Sequence, residues 1–280
     1  MSERTVVGVL HPGAMGSSVG AALIGTGHDV CWAAADRSTA TVDRASADGL
    51  RSVADLADLV EGCDTIISVC PPAGALALAE QVANLGFAGT YLDANAVSPT
   101  TARQIGKVVS ARGATFVDGG IIGPPARHAG LTVLYLSGHA TATPAIAAMF
   151  RGSPCDTFLV GTDPGAASAL KMAFAAWTKG TSALLLAIRA LAEAEGVSDA
   201  LDHAWSVLTP DLSARLPATV SNTAPKAWRF VGEMEEIAAT FAAAGLPSGF
   251  HDAAADVYGR LSDLRDRDDV TVDDVTERLR

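Results

Sequence analysis

The chain is poor in positive charge, in aromatic side chains and in paired cysteines. Its 20 lysines and arginines face 31 acidic residues, a formal net charge of −11. No Lys/Arg cluster runs through it, so it lacks the basic face that a nucleic-acid backbone needs, and nucleic acid is excluded as the main partner. A nucleotide cofactor, which a few local donors can hold, is not excluded. Aromatics make up 5% of the residues, which leaves Ala, Val, Leu and Ile to build the core. Cys31, Cys63, Cys70 and Cys155 are scattered without CxxC spacing and read as reduced, structural residues. No His/Cys/Asp/Glu group has metal-ligand spacing, so no metal is expected. Apolar runs are Ala-rich, interrupted and too short for a bilayer, and nothing ahead of the first strand fits a signal peptide. The expected setting is cytoplasmic, with no membrane partner.

What is present is the composition of a compact protein, 49% hydrophobic and 18% charged over 280 residues. Apolar runs predict strands at 5–10, 28–33, 64–69, 88–94, 114–118, 131–137 and 156–160. Helical patterns lie between them at 14–25, 73–84, 98–110 and 141–150. That alternation predicts an α/β fold, a doubly wound and mainly parallel sheet. After Val160 the strands stop. One long helix is expected over 164–195, with Pro164 in its first turn and Gly196 at its end. Further helices are expected at 198–208, 224–244, 248–264 and 271–279. The chain thus divides into a nucleotide-binding domain over 1–160 and an all-helical domain over 161–280. Gly180, in mid-helix, reads as a close-packing position. His203 and His251 read as surface or packing residues.

The first strand runs into "HPGAMG". Dinucleotide-binding turns follow a first strand, open a helix and carry three glycines; Gly13 and Gly16 match the last two, while His11 and Pro12 stand where the first would be. Gly13 lets the backbone approach a pyrophosphate, and the helix amides behind it supply donors and partial positive charge. Pro12 fixes its own φ and pushes His11 toward extended geometry. His11 is expected to border the cofactor. After the second strand come Asp36, Arg37 and Ser38. An acid there favours a free ribose hydroxyl, an arginine a 2′-phosphate. The Arg37–Ser38 pair favours NADP, with NAD as the alternative.

Four stretches resemble the β-hydroxyacid dehydrogenase superfamily, which includes 6-phosphogluconate dehydrogenases and imine reductases. "GAMG" (Gly13, Ala14, Met15, Gly16) is similar to its glycine-rich turn. "YLDANAVSPTTARQI" (91–105) resembles its fifth-strand signature. "FVDGGIIGPPARHAG" (116–130) is similar to its substrate loop, and "GTDPGAASALKMAFAAW" (161–177) to its catalytic helix. The segment from "PKAWRFVGEMEE" onward resembles a C-terminal helical domain of unknown function. Together these cover nearly the whole chain in order.

The resemblance implies a Rossmann-type domain and an oxidoreductase. Lys171 falls on the family's general acid/base, which a desolvating Ala/Met/Phe helix suits chemically. Asn95 falls on a nicotinamide contact, and Met15 packs near the cofactor. Cys70, Pro71 and Pro72 match the loop running along it. Gly120, Ile121, Ile122 and Gly123 line the substrate. Two positions depart from the pattern. Ile122 replaces a serine and Ala175 an asparagine, which implies a substrate less polar than a simple 3-hydroxyacid. Thr178 shares a helix face with Lys171, and Trp177 and Lys179 lie close by. In the helical domain Lys226, Trp228, Arg229 and Glu233 are the substrate-side candidates. The expected function is hydride transfer between NADP and the C=O/CH–OH group of a small-molecule substrate, bulkier or less polar than a simple hydroxyacid, by a homodimer. An imine reductase and an inactive NAD(P)-binding regulator are the alternatives.

Overall fold

The computed structural model describes residues 5–280. The expectation about the start of the chain therefore falls partly on positions 1–4, outside the described residues. The chain divides into two compact units, the first ending at Met172 and the second spanning Ala173–Arg280.

The first unit alternates strand and helix. It runs β1 Val6–Val9, α1 Ala14–Gly25, β2 Asp29–Ala33, α2 Thr39–Ala47, β3 Arg51–Val53, α3 Leu56–Gly62, β4 Thr65–Ser68 and α4 Pro72–Asn84. It continues through β5 Thr90–Asp93, α5 Pro99–Ser110, β6 Thr115–Ile122, β7 Thr132–Gly138, α6 Ala142–Met149 and β8 Cys155–Gly161 to the start of α7, Ala166–Ala194. Helix starts carry local signals. Asp55 caps α3 by accepting from the Ala57 and Asp58 amides, and Ser98 caps α5 with Pro99 in its first turn.

The eight strands form one sheet in the order β3-β2-β1-β4-β5-β6-β7-β8. All neighbours are parallel except β6 and β7, which run antiparallel. Chain direction reverses its progress across the sheet between β1 and β4, where such folds bind ligands beyond the strands' carboxyl ends. Successive strand residues point to opposite faces: Cys31 and Ile66 enter one core cluster, Trp32 and Ile67 the other. Helices cover both, as the doubly wound expectation requires.

Three elements of this unit escape the sequence pattern. Helix α2 buries only Ala45 and so has no apolar stripe, β3 is three residues long, and α3 is seven. Strand β6 is also longer than the 114–118 expected. Its antiparallel pairing with β7 carries it to Ile122, so Gly120, Ile121 and Ile122 are strand residues rather than loop.

A buried carboxylate fixes where α7 begins. Asp118 on β6 is fully buried and accepts from the backbone N–H groups of Gly165 (2.9 Å) and Ser168 (3.1 Å) and from the hydroxyls of Ser137 (2.8 Å) and Ser168 (2.6 Å). Ser137 Oγ in turn accepts from the Ala167 N–H at 3.0 Å. Amides at a helix start have no partner within the helix, and these find theirs on the sheet. Gly165 sits at φ +100°, which ends the loop and starts α7 at Ala166, two residues beyond Pro164. Pro164 therefore precedes the helix instead of opening it.

The second unit holds the rest of α7 and α8 Ser198–Leu208, α9 Pro210–Thr223, α10 Ala227–Ala243, α11 Gly249–Arg260 and α12 Val272–Leu279. The sequence pattern misses α9, which is polar on average and carries Pro217 inside it. The buried Tyr258 hydroxyl donates to the Lys179 carbonyl at 2.7 Å, and its ring meets Phe230 edge-on at 5.4 Å. His251 is buried against Phe241 at 4.3 Å. A Cβ on Gly180 would lie 3.8 Å from that imidazole, an ordinary contact, so packing does not require a glycine there. Among the described residues, no helix is long and apolar enough to cross a membrane.

Two stability tests follow from these buried groups. Asp118→Ala leaves two amides and two hydroxyls without their acceptor and should lower the unfolding free energy by about 3 kcal/mol in urea titration. Burial holds the His251 imidazole below its usual 6.5. Between the two values only the unfolded chain takes up the proton, so stability should fall as pH drops from about 7 to 5. His251→Gln should flatten that decline in thermal melts at successive pH values.

Candidate functional site

The turn after β1 is shaped by the atoms around His11. Gly13 N–H donates to the His11 carbonyl at 2.8 Å, and a Cβ on Gly16 would lie 2.2 Å from that same oxygen. Gly16 is therefore required, whereas Gly13 would meet only the His11 ring, at 3.5 Å. No side chain caps α1 and no acidic residue lies in its first turn. Its N-terminal amides, from Ala14 and Met15 onward, open at the carboxyl edge of the sheet, an arrangement that suits an anion.

Two arginines stand beside this turn. Arg37 Nη1 lies 3.0 Å from His11 Nδ1, Arg37 Nη2 donates to the Leu10 carbonyl at 3.3 Å, and Arg44 Nη1 reaches the Pro12 carbonyl at 3.5 Å. A guanidinium can only donate, so His11 Nδ1 accepts and the ring proton sits on Nε2. Burial first, then the charges of Arg37 and Arg44, lower the His11 pKa and keep the ring neutral near pH 7. Asp36 adopts φ +58° in the turn, and Ser38 occupies the N-cap position of α2 with its hydroxyl 3.1 Å from that of Thr41.

Across the β1/β4 switch, the chain leaves β4 through Cys70, Pro71 and Pro72, with Pro72 opening α4. Burial pushes the Cys70 thiol up to about 11. Asn95, buried beyond β5, accepts from the Cys70 N–H at 2.6 Å and donates to Ser68 Oγ at 3.0 Å and to the Asp93 carboxylate. It braces the ends of β4 and β5, with both amide hydrogens engaged inside the protein.

Lys171 lies at the same sheet edge, because β1, β4, β5 and β6 all run parallel. Its Nζ donates to the Ile121 carbonyl at 2.8 Å. The helix reaches β6 only because Gly120 lacks a side chain: a Cβ there would lie 2.8 Å from the Ala167 carbonyl and 3.0 Å from Lys171 Cβ. Ile122, half-buried, ends the strand, and Gly123 turns away at φ +127°. The following loop is fastened to the turn's own helix. Ala126 N–H donates to Ser18 Oγ at 2.9 Å, while Arg127 forms a two-pronged ion pair with Asp48 at 2.5 and 2.7 Å. Asp118, Ser137 and Ser168, which set the start of α7, are absent from the sequence candidates. Their signal is a carboxylate and a serine within apolar strands, where an unpaired polar group would be costly.

The remaining candidates belong to the second unit. Ala175 is buried, and Thr178 donates back to the Phe174 carbonyl at 3.3 Å. Lys179 pairs with Glu233 at 2.7 Å, so the two charges are engaged with each other. Lys226 is exposed, Trp228 stacks under the Arg265 guanidinium at 4.0 Å, and Arg229 lies over Phe230. These residues form a salt-bridged, cation–π-laced helix face. His251 proves a packing residue.

The residues around the turn fit a dinucleotide: an uncapped helix start, a glycine that a Cβ would abolish, and two arginines within reach. Among the described residues, no His/Cys/Asp/Glu group could hold a metal ion.

Comparison with known proteins agrees with this geometry. The NAD binding domain of 6-phosphogluconate dehydrogenase matches residues 6–161, and a domain of unknown function (DUF1932) matches 192–261. An uncharacterized 28.5 kDa protein in the 7S RNA 5′ region of Methanothermus fervidus is 33% identical over 165 residues, 59% of this chain and 62% of that protein, so the chain spans less than two thirds of that relative. Among solved structures, Mycobacterium tuberculosis 3-hydroxyisobutyrate dehydrogenase with L-serine superposes with a TM-score of 0.71 at 20% identity, covering 99% of both chains. A reductive aminase from Aspergillus terreus, in complex with NADPH and ethyl levulinate, gives 0.59 at 20% identity over 99% of this chain and 100% of that one. At such identities the likeness shows the fold. The family match spans more than half of the 280 residues, and the chain belongs to the family of the NAD binding domain of 6-phosphogluconate dehydrogenase.

Proposed function

We propose that the protein is an NADP-dependent oxidoreductase acting on the C=O/CH–OH group of a small-molecule substrate less polar than a simple 3-hydroxyacid. The observation that carries this reading is Lys171 held on the Ile121 carbonyl at the sheet edge that also bears the Gly13–Gly16 turn. When bound, the nicotinamide supplies or takes up the hydride. Lys171 gives a proton to the substrate oxygen in reduction and removes it in oxidation, its ammonium kept in place by the backbone carbonyl. The apolar end of β6 at Ile121 and Ile122 offers no side-chain partner to a carboxylate. Four free cysteines fit a cytoplasmic setting.

Arg37 carries the preference for NADP. Its fork suits a 2′-phosphate, and the neutral His11 ring with the Leu10 carbonyl orients it. In this reading His11 is a positioning residue beside the cofactor, and Arg44 and Ser38 complete the cradle.

One observation favours a homodimer. Leu170, Trp177, Leu184 and Leu191 repeat every seven residues along α7 and are 36%, 70%, 59% and 62% exposed, an apolar stripe of the kind a second helix covers. An imine or amine substrate is the second reading, favoured by the same apolar strand end, while Lys171 suits oxygen chemistry better.

Three measurements test these statements. Lys171→Ala should lower kcat by about 10²–10⁴-fold on whichever ketone, aldehyde, ketoacid or imine is turned over, with NADPH binding unchanged. An unaltered rate overturns the lysine's role, and NADPH binding without turnover of any of these classes favours the regulator. Arg37→Ala should weaken NADPH at least tenfold in fluorescence titration and leave NADH nearly unchanged. Trp177→Asp should shift the sedimenting species from dimer to monomer.

A further inference from the structure

We propose that Cys31 and Cys63 are a peroxide-oxidisable dithiol that closes to an intramolecular disulfide. The two come from different elements, Cys31 from β2 and Cys63 from the residue just after α3, yet their sulfurs lie 3.3 Å apart. The neighbouring strand makes room for them. Gly8 on β1 pairs in register with Cys31, and a Cβ at Gly8 would stand 3.0 Å from Cys63 Sγ and 2.6 Å from Leu59 Cδ2. Closing the bridge requires the sulfurs to approach by a little over 1 Å, to the roughly 2.05 Å of a disulfide. The pair is also reachable. Cys31 is buried, but Cys63 lines a surface cavity of about 450 Å³ with Glu61, Leu85 and Phe87, wide enough for a peroxide molecule.

The chemistry of the pair differs from that of the other two thiols. One sulfur of the pair gives up its proton easily because the other thiol donates a hydrogen bond to it, with Arg51, opposite Cys31 on β3, adding positive charge; the first proton of the pair is held below the usual thiol range. Asp29 and Asp64 oppose this, and the second proton of the pair is held far more tightly. Burial pushes Cys70 and Cys155 up to about 11 and about 12, where little thiolate exists at neutral pH.

In the first step the thiolate attacks hydrogen peroxide. An S–O bond forms, the O–O bond breaks, and the departing hydroxide takes a proton and leaves as water. In the second, the remaining thiol's sulfur attacks the sulfenic sulfur. The S–S bond forms, the S–O bond breaks, and the hydroxyl leaves as water with the thiol's proton. Two thiols are oxidised by two electrons in all, and one peroxide becomes two waters. The bridge closes the segment that contains Arg37, Ser38 and Arg44.

The test treats the native, full-length protein with hydrogen peroxide, blocks remaining thiols by alkylation after denaturation, and maps them by mass spectrometry. The proposal predicts that titratable thiols fall from four to two, with a Cys31–Cys63 linked peptide that dithiothreitol reverses. Cys70→Ser should form the same bridge. Cys31→Ser, if it folds, should instead leave Cys63, the sulfur that lines the cavity, as a sulfenic acid trapped by dimedone. Four thiols retained under peroxide would overturn the proposal. So would sulfinic or sulfonic acid at Cys63 without a bridge, or oxidation confined to Cys70 or Cys155.

Discussion

Asp118 decides where the long helix starts, and much else depends on that start. Its carboxylate gathers two amides and two hydroxyls from β7 and α7 at one buried point. A helix whose first turn is fixed against a strand has its later residues fixed in azimuth as well. Lys171, one turn beyond Ser168, thereby arrives over Gly120 with its ammonium on the Ile121 carbonyl. Gly120 is the complement of that anchor, because any side chain there would push the helix off the strand. Position of the lysine is thus set by one carboxylate and one missing side chain.

The other half of the site depends on a different substitution. The turn lacks its first glycine, and His11 with Pro12 takes over. The His11 carbonyl shapes the turn by accepting from Gly13, and its ring faces Arg37 across a 3.0 Å contact. Burial first, and then the charges of two neighbouring guanidinium groups, favour the neutral ring. The residue that disrupts the fingerprint therefore organises the charge beside it. The loop after β6 is drawn to the same region by Ser18, and by Arg127 on Asp48, itself hydrogen-bonded to Ser17 of α1.

Most of the fold is legible in the sequence because its helices and strands carry periodic apolar patterns. Helices α1 and α8 match the expected 14–25 and 198–208. The elements that escape do so for physical reasons: α2 buries one residue, α3 and β3 are very short, and α9 contains a proline. Strand β6 outruns its pattern because partner pairing, which the local sequence does not encode, carries it through two glycines. At the site, the turn and Lys171 stand out from motif and spacing, whereas Asp118 and Ser137 do not. They act through contacts between residues distant in the chain, and only their polarity within apolar strands hints at them. In the polar run 226–233, Glu233 pairs with Lys179 and the Trp228 ring lies under Arg265, contacts within the helical unit that the local pattern does not encode.

In the proposed function, the uncapped start of α1, Arg37 and Lys171 serve one bound dinucleotide and its substrate. A crystal structure of the NADPH complex tests it most directly. The expected complex has the pyrophosphate on the amides that follow Gly13, the 2′-phosphate on the Arg37 guanidinium, and the nicotinamide at the carboxyl ends of β5 and β6, leaving a substrate atom room within about 3–3.5 Å of its reacting carbon and in reach of Lys171 Nζ. A dinucleotide bound away from the Gly13–Gly16 turn, or one whose nicotinamide lies out of reach of Lys171, would contradict it.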